Sequence, residues 1–391
     1  MVKVGLERLL DDPAPIRGAR IGLVTNQSSV TSDLRHSVRL LHEGRAWTLT
    51  TLFGPEHGIW GEVQDMGHVG HSTDPLTGLP VYSLYGATKE ELAPKPETLA
   101  GLDALVIDLQ DVGSRYYTFV YTMALCMGAA AKAGVRVVVL DRPNPIDGVH
   151  VEGNIREDAF SSFVGMYPLP ARHGMTAGEL ARFFNARFSL ECDLHVVAME
   201  GWRRAMYYEE TGLPWVIPSP NMPTVPTAVV YPGMCLVEGT NLSEGRGTTH
   251  PFEFFGAPWL ESFELADALN DLDLPGVRFR PHYFLPTFHK HADQVCGGVE
   301  VHVTNRGAFE PFRTGLWCIK VARDFEPEKF DWRRETYEYE TNMLAIDMLA
   351  GSAAFRQLVD AGGSPDDWAA TWKEELREFA KLREEFLLYR D

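Results

Sequence analysis

Short β-branched runs alternate with stretches of helical period through the first half of the chain. Arg20 to Thr25 (RIGLVT) predicts a first strand, and Leu34, Val38 and Leu41 mark a helical face after it. Trp47 to Phe53, Ala104 to Leu109 and Val135 to Asp141 predict three more strands. The last two are separated by an almost wholly apolar helix over Tyr117 to Ala133, which Gly134 ends as a left-handed cap. Thr176 and Glu179 form a capping box ahead of Leu180, Phe183 and Phe184, and a strand over Leu194 to Met199 follows. Strands separated by helices in this rhythm predict an α/β protein with a Rossmann-like parallel sheet.

The pattern then breaks. Pro214, Pro218, Pro220, Pro223, Pro226 and Pro232 crowd into one short stretch. That density excludes helix and interior strand and predicts an extended linker or an ordered wall of a cleft. The domain boundary is therefore placed near residue 228, giving a Rossmann-like domain over 1–228 and a second, smaller α/β domain over 229–391, with a cleft between them. Beyond the boundary a strand is expected at Val299 to Val303 and helices around Phe312 to Phe325 and Asn342 to Leu358. A last helix begins where Ser364 caps and Pro365 takes the first position, with Trp368, Trp372, Leu376, Phe379 and Phe386 on one face.

Composition narrows the classes of function. A chain of 391 residues exceeds what one core usually supports, which agrees with two domains. Its net charge of −18 repels phosphate backbones and anionic lipid, so neither nucleic acid nor a membrane surface is an expected partner. The five cysteines, Cys126, Cys192, Cys235, Cys296 and Cys318, are widely spaced and odd in number, which argues against a disulfide framework or a zinc knuckle. Without an apolar leader at Met1 the chain reads as cytoplasmic, with export left open if a leader precedes it. Oligomeric state is not encoded in any pattern of the sequence.

Cofactor signatures are missing: the first strand runs into TNQSSVTS rather than a glycine-rich turn, and no P-loop, GxSxG elbow or HExxH occurs. No cofactor and no metal are expected. His68 with His71 and His289 with His291 lack the acids or thiols that would complete a metal site. What remains are polar clusters at the carboxyl ends of the strands, where open α/β sheets bind ligands. Asn26 and Gln27 suit hydroxyls or amides. In Gly54-Pro55-Glu56-His57-Gly58 a stiff turn fixes an acid beside an imidazole, a good setting for a proton donor. Asp108, Gln110, Asp111 and Arg115 follow the third strand, where a structural ion pair competes with catalysis, and Asn144 sits in a turn stiffened by Pro143 and Pro145. Arg172 and His173 precede a helix N-terminus suited to a carboxylate. After the proline stretch, Glu238, Asn241, Glu244 and Arg246 share a loop too polar for packing. Trp202, Trp215 and Trp259 are either core or sugar-stacking platforms.

Together the strings GLVTNQSSVT, LFGPEHGIWGE, DLQDVGSRYYTF, VVVLDRPNPI, GLPWVIPSPNMPT and YPGMCLVEGTNLSEGRGTTHPFEFFGAPW closely resemble the NamZ-type exo-β-N-acetylmuramidases, in order and over nearly the whole chain. The resemblance implies a Rossmann-like N-terminal domain without nucleotide, a second α/β domain, and release of terminal β-linked N-acetylmuramic acid from the non-reducing end of peptidoglycan fragments. A glycosidase needs a proton donor and usually a second carboxylate. Glu56 is expected as the acid, and Glu244, Glu238 and Asp108 compete for the second place. For the substrate's lactyl carboxylate the expected cations are Arg172, His173 and Arg246. Its hydroxyls and acetamide are expected to meet Asn26, Gln27, Asn144, Asn221 and Asn241, with His57, Asp111 and Arg115 nearby. Two alternatives stand against this reading: a non-catalytic muropeptide- or sugar-binding protein, and a nucleotide-dependent transferase on a Rossmann-like sheet.

Overall fold

The computed structural model describes residues 1–64, 67 and 70–390. Its N-terminal half is built on strands β1 (Arg20–Thr25), β2 (Thr48–Gly54), β3 (Ser72–Thr73), β4 (Pro80–Ser83), β5 (Ala104–Asp108), β6 (Arg136–Leu140) and β7 (Leu194–Val197). They form one sheet in the order β3-β4-β2-β1-β5-β6-β7. All neighbours run parallel except β3, which pairs antiparallel with β4 at the edge. ALVID in β5 is buried at every position and RVVVL in β6 at all but the first, because helices cover both faces of a central parallel strand. Phe119–Ala133 is one of these helices, ended by Gly134 at φ 68°, and Ala177–Arg187 is another, started by the Thr176/Glu179 capping box.

The second half carries a smaller antiparallel sheet of β8 (Phe254–Ala257), β9 (Val277–Phe284) and β10 (Cys296–Val303), in the order β8-β10-β9. Helix Ser262–Asp271 packs on it and helix Pro311–Phe325 packs on that helix, so the molecule is an α/β protein of two unequal sheets. All five cysteines are buried free thiols. Among the described residues no helix is long and apolar enough to cross a membrane.

Four local expectations change. The proline-rich stretch is extended only in its first part: Val225–Met234 is helical although it contains Pro226 and Pro232. Thr224 caps this helix by accepting from Thr227 N, and Pro226 sits in the first turn, where no N–H is needed. Pro232 falls in the last turn, and residue 228 lies inside the helix. That helix packs against Pro311–Phe325 so closely that a Cβ on Gly233 would meet the Pro311 carbonyl at 1.8 Å. Second, Leu34 is exposed at φ 66° and precedes the helix Ser37–Glu43 instead of lining it. Third, the helix expected over 342–358 is two, Ala345–Ala350 and Ala354–Asp360, parted by Gly351 in the left-handed region. Fourth, the C-terminal helix breaks into Pro365–Ala369 and Lys373–Arg383. Thr371 Oγ1 donates to Trp368 O there, a side-chain bond that competes with the helical ladder.

Candidate active site

The carboxyl ends of β2 and β5 and the start of the second domain line a narrow cleft. Three carboxylates line it: Glu56, Glu238 and Glu338. Glu56 follows β2 through Gly54 and Pro55, and its Oε2 accepts from Thr118 Oγ1 at 2.7 Å. His57 takes the left-handed conformation (φ 71°), which turns the chain sharply and keeps both side chains on the cleft wall. Its Nδ1 bonds the Val63 carbonyl at 2.9 Å, so Nδ1 carries the proton and Nε2 is the acceptor in the neutral ring.

Glu238 comes from the other domain. Arg246 Nη2 donates to its Oε1 at 2.6 Å and Tyr337 Oη to its Oε2 at 2.5 Å, which locks the carboxylate in one orientation. Burial, and then the charge of Glu238, push the Tyr337 phenol well above its ordinary pKa, so it serves as a donor. Glu338 accepts from Tyr85 Oη at 3.1 Å. Burial, then the charges of Glu56 and Glu338, likewise push Tyr85 upward. Asn221 and Ser219 of the extended proline-rich segment supply a further polar wall, with Asn221 Nδ2 donating to Gln64 at 3.0 Å.

Both domains of this two-walled cleft correspond to known family domains. Residues 21–226 match the N-terminal domain model of exo-β-N-acetylmuramidase NamZ, and residues 229–389 match the C-terminal one. The chain belongs to the NamZ family. It is 48% identical over 389 residues to the peptidoglycan β-N-acetylmuramidase NamZ of Bacillus subtilis (strain 168), a match covering 99% of this chain and 91% of that protein. Two crystal structures of DUF1343 family proteins from Bacteroides fragilis NCTC 9343 share the fold, at 35% identity with a TM-score of 0.90 and at 27% with 0.75. Each alignment covers 100% of this chain and 99% of the other. As a NamZ family member the protein is a glycoside hydrolase, an exo-β-N-acetylmuramidase.

Of the residues singled out in the sequence, Glu56, His57, Asn221, Glu238 and Arg246 line the NamZ-family cleft. Others are committed elsewhere. Asp108 is fully buried and grips Arg142 through both oxygens, at 2.6 and 3.0 Å, so it is a structural anion at the sheet end and not a cleft carboxylate. Glu244 is equally buried, in contact with Lys290, His289 and Arg246. Burial by itself would raise its pKa, but Lys290, His289 and Arg246 outweigh it and hold the carboxyl far below the usual range. Arg172 pairs with Asp147 at 2.8 Å, and His173 lies 3.4 Å from Asp111, so neither expected cation reaches the cleft. Arg115 donates to the carbonyls of Asn154, Leu169, Leu349 and Ala350, joining the two domains through backbone acceptors at the end of helix Ala345–Ala350.

The amides divide similarly. Asn144 spans Met175 O and Ile146 N inside its turn, and Asn241 donates to Lys329 O. Asn26 and Gln27 donate to Pro218 O and Ile217 O, at 3.0 and 2.8 Å. The turn after β1, where a Rossmann sheet would receive a dinucleotide, is thus packed against the proline-rich wall. Trp202 is core, edge-on to Tyr389, and Trp215 packs edge-on to Tyr208. Trp259 is half-buried against the core. His71, His289 and His291 bond Ser83 N, Glu244 and Asn241 O, whereas His68 lies outside the described residues. No group of metal ligands occurs among the described residues.

Sequence reasoning missed Thr118, Tyr337 and Glu338. Tyr116, Tyr117 and Thr118 extend the Arg115 motif, so that motif was the available signal for one of the three. Tyr337 and Glu338 lie in a run of polar residues (RRETYEYETN) that resembles ordinary surface.

Proposed function

We propose that the protein removes terminal β-linked N-acetylmuramic acid from the non-reducing end of peptidoglycan fragments, with Glu56 as general acid and Glu238 as the fixed charge opposite it. The observation that carries this reading is the pairing of two carboxylates from different domains on one cleft, one held by a single hydroxyl and one clamped by a guanidinium and a phenol. Glu56 gives its proton to the glycosidic oxygen as the C1–O bond breaks and the shortened fragment departs. Positive charge growing at the ring is met by Glu238, which cannot rotate away. Water then bonds to C1 and its proton passes to a cleft carboxylate.

Arg246 is the one guanidinium or ammonium among the described residues lining the cleft, and the lactyl carboxylate of muramic acid is assigned to it. A substrate lacking that group loses this charge-assisted contact. The test is turnover of a chromogenic β-N-acetylmuramide beside the matching β-N-acetylglucosaminide. Hydrolysis favouring the muramide, and a Glu56→Gln variant slower by about 10³-fold on a poor leaving group, are the expected results. Near-wild-type turnover by Glu56→Gln would remove Glu56 from the mechanism. A binding protein that lacks activity would turn over neither substrate.

A further inference from the structure

A second groove lies where the N-terminal domain meets the end of the C-terminal one, and it shares no lining residue with the cleft. One bank is the end of helix Ala177–Arg187, with Phe183, Arg187 and Phe188. The other is the broken C-terminal helix, with Trp368, Trp372, Glu375, Glu378 and Phe379. Trp368 and Trp372 flank the break between Pro365–Ala369 and Lys373–Arg383, and their rings stand at 86° with centroids 4.7 Å apart. Phe183 packs edge-on against Phe188 and Phe379, at 5.9 and 6.0 Å, which joins the two banks.

Both tryptophans are more than nine-tenths buried, at 7% and 5% exposure. A buried indole N–H ordinarily finds an acceptor. Neither finds one among the described residues, and neither N–H is sealed from solvent, so both stay available to a ligand in the groove they line. Acceptors stand beside them. Glu375 and Glu378 are exposed one turn apart on Lys373–Arg383 and form no ion pair among the described residues, since Arg377 pairs with Glu374 instead. Charge along the lining is nearly balanced, with Arg156 and Arg187 against Glu157, Glu375 and Glu378.

We propose that this groove is a second glycan-binding site, which holds neutral sugar residues of a strand apart from the cleft. An organic cation suits aromatic faces and carboxylates, but it has nothing to offer the two indole donors. An anion answers the indoles and meets three acids. A pyranose satisfies both sets, because its hydroxyls donate to the carboxylates and accept from the indoles while its C–H face lies on an aromatic ring. The muramidase reading above supplies only the choice of glycan as the ligand, and the proposal rests on it for that alone. Peptidoglycan presents many strands together, so holding one raises the concentration of neighbouring chain ends at the cleft.

The experiment is a tryptophan-fluorescence titration with the β-1,4-linked tetramer of N-acetylglucosamine, in the presence of N-acetylmuramic acid to fill the cleft. Among the described residues no tryptophan lines the cleft, so the signal reports the groove. The wild type is expected to show a saturable change, and a variant carrying both Glu375→Ala and Glu378→Ala to bind about tenfold more weakly or worse. That variant should also show a KM for polymeric glycan strands raised by about threefold or more, with unchanged kcat/KM on 4-nitrophenyl β-N-acetylmuramide. No saturable change in the wild type overturns the proposal, as does equal affinity or equal strand KM in the two proteins. So does a trilysine peptide that gives the change in place of the sugar. If the wild type cleaves no chromogenic muramide, the muramidase reading fails, while the titration still decides the groove. Should the double alanine variant not fold, Glu375→Gln with Glu378→Gln keeps the shape, and unchanged affinity there counts against the proposal.

Discussion

Two sets of buried acids differ in what holds them. Asp108, Asp147 and Glu179 each face an arginine at under 3 Å, namely Arg142, Arg172 and Arg204. Glu56, Glu238 and Glu338 instead accept from the hydroxyls of Thr118, Tyr337 and Tyr85, and Glu238 accepts from Arg246 as well. In the first set the guanidinium pairs with an acid away from the cleft, whereas in the second a hydroxyl orients each carboxylate on the cleft wall. Of the arginine-bonded acids, Asp108 ends a strand, Glu179 starts a helix and Asp147 fixes the loop after β6. Of the hydroxyl-bonded ones, Glu56 and Glu338 stand on turns and Glu238 in the short 3-10 helix Cys235–Gly239, where a cleft can form.

That contrast can be broken from either side. The largest effect is expected in the cleft, where Glu238→Gln keeps the shape but discards the charge. It should lower kcat by about 10²- to 10³-fold with little change in melting temperature, read from steady-state kinetics and calorimetry. Arg142→Ala should do the reverse, destabilising the fold by about 3–5 kcal/mol in urea titrations because Asp108 is left buried and unpaired. Activity per folded molecule should stay near wild type, and a tenfold loss of kcat at full folding would erase the distinction between the two sets.

Asp141 sharpens the comparison, since it is fully buried yet accepts from Thr176 Oγ1, Tyr389 Oη and Gly178 N without an arginine bond. Burial pushes its carboxyl up to about 6 against hydrogen bonds from Tyr389, Gly178 and Thr176 that lower it. A raised folded pKa means the stability it confers is complete below about 3.8 and is lost as the pH climbs through about 6. The loss amounts to about 3 kcal/mol across that window. Asp141→Asn should flatten the slope of unfolding free energy between these pH values, and an unaltered slope would assign it to another group. The smallest effect is expected from Asn26→Ala, which frees the proline-rich wall at Pro218. About 1 kcal/mol of stability and a KM rise of under about threefold should follow, because Asn221 on the same wall loses only part of its support.

The comparison also explains how far the chain could be read without coordinates. The pentapeptide from Gly54 to Gly58 was legible because its glycines and proline mark a turn at a strand's end, and an acid fixed there must face the ligand side of the sheet. Asp108 looked the same by that criterion. Its role turned on Arg142, which lies 34 positions away and reaches it only when β5 and β6 pair. Glu244 and Glu238 share one loop, yet one is enclosed by Lys290 and His289 from a distant segment and the other lines the cleft. Glu338 carried no signal at all, since a left-handed turn built from Glu and Tyr lacks the Asn-Gly signature.

Local pattern thus determined what local physics controls. β-branched runs became strands β1, β2, β5, β6 and β7, the Thr176 box started its helix, Gly134 ended another, and the acid after β2 came to the rim of the sheet. Tertiary structure decided which charges are neutralised and which confront a substrate, because each ion pair and each hydroxyl clamp joins residues far apart in the chain. A proline-rich stretch likewise reads as unbroken coil until packing against Pro311–Phe325 gives part of it a helix to complete. Side chains of one chemical kind received opposite roles because burial and partner are properties of the fold, and the residue type fixes neither.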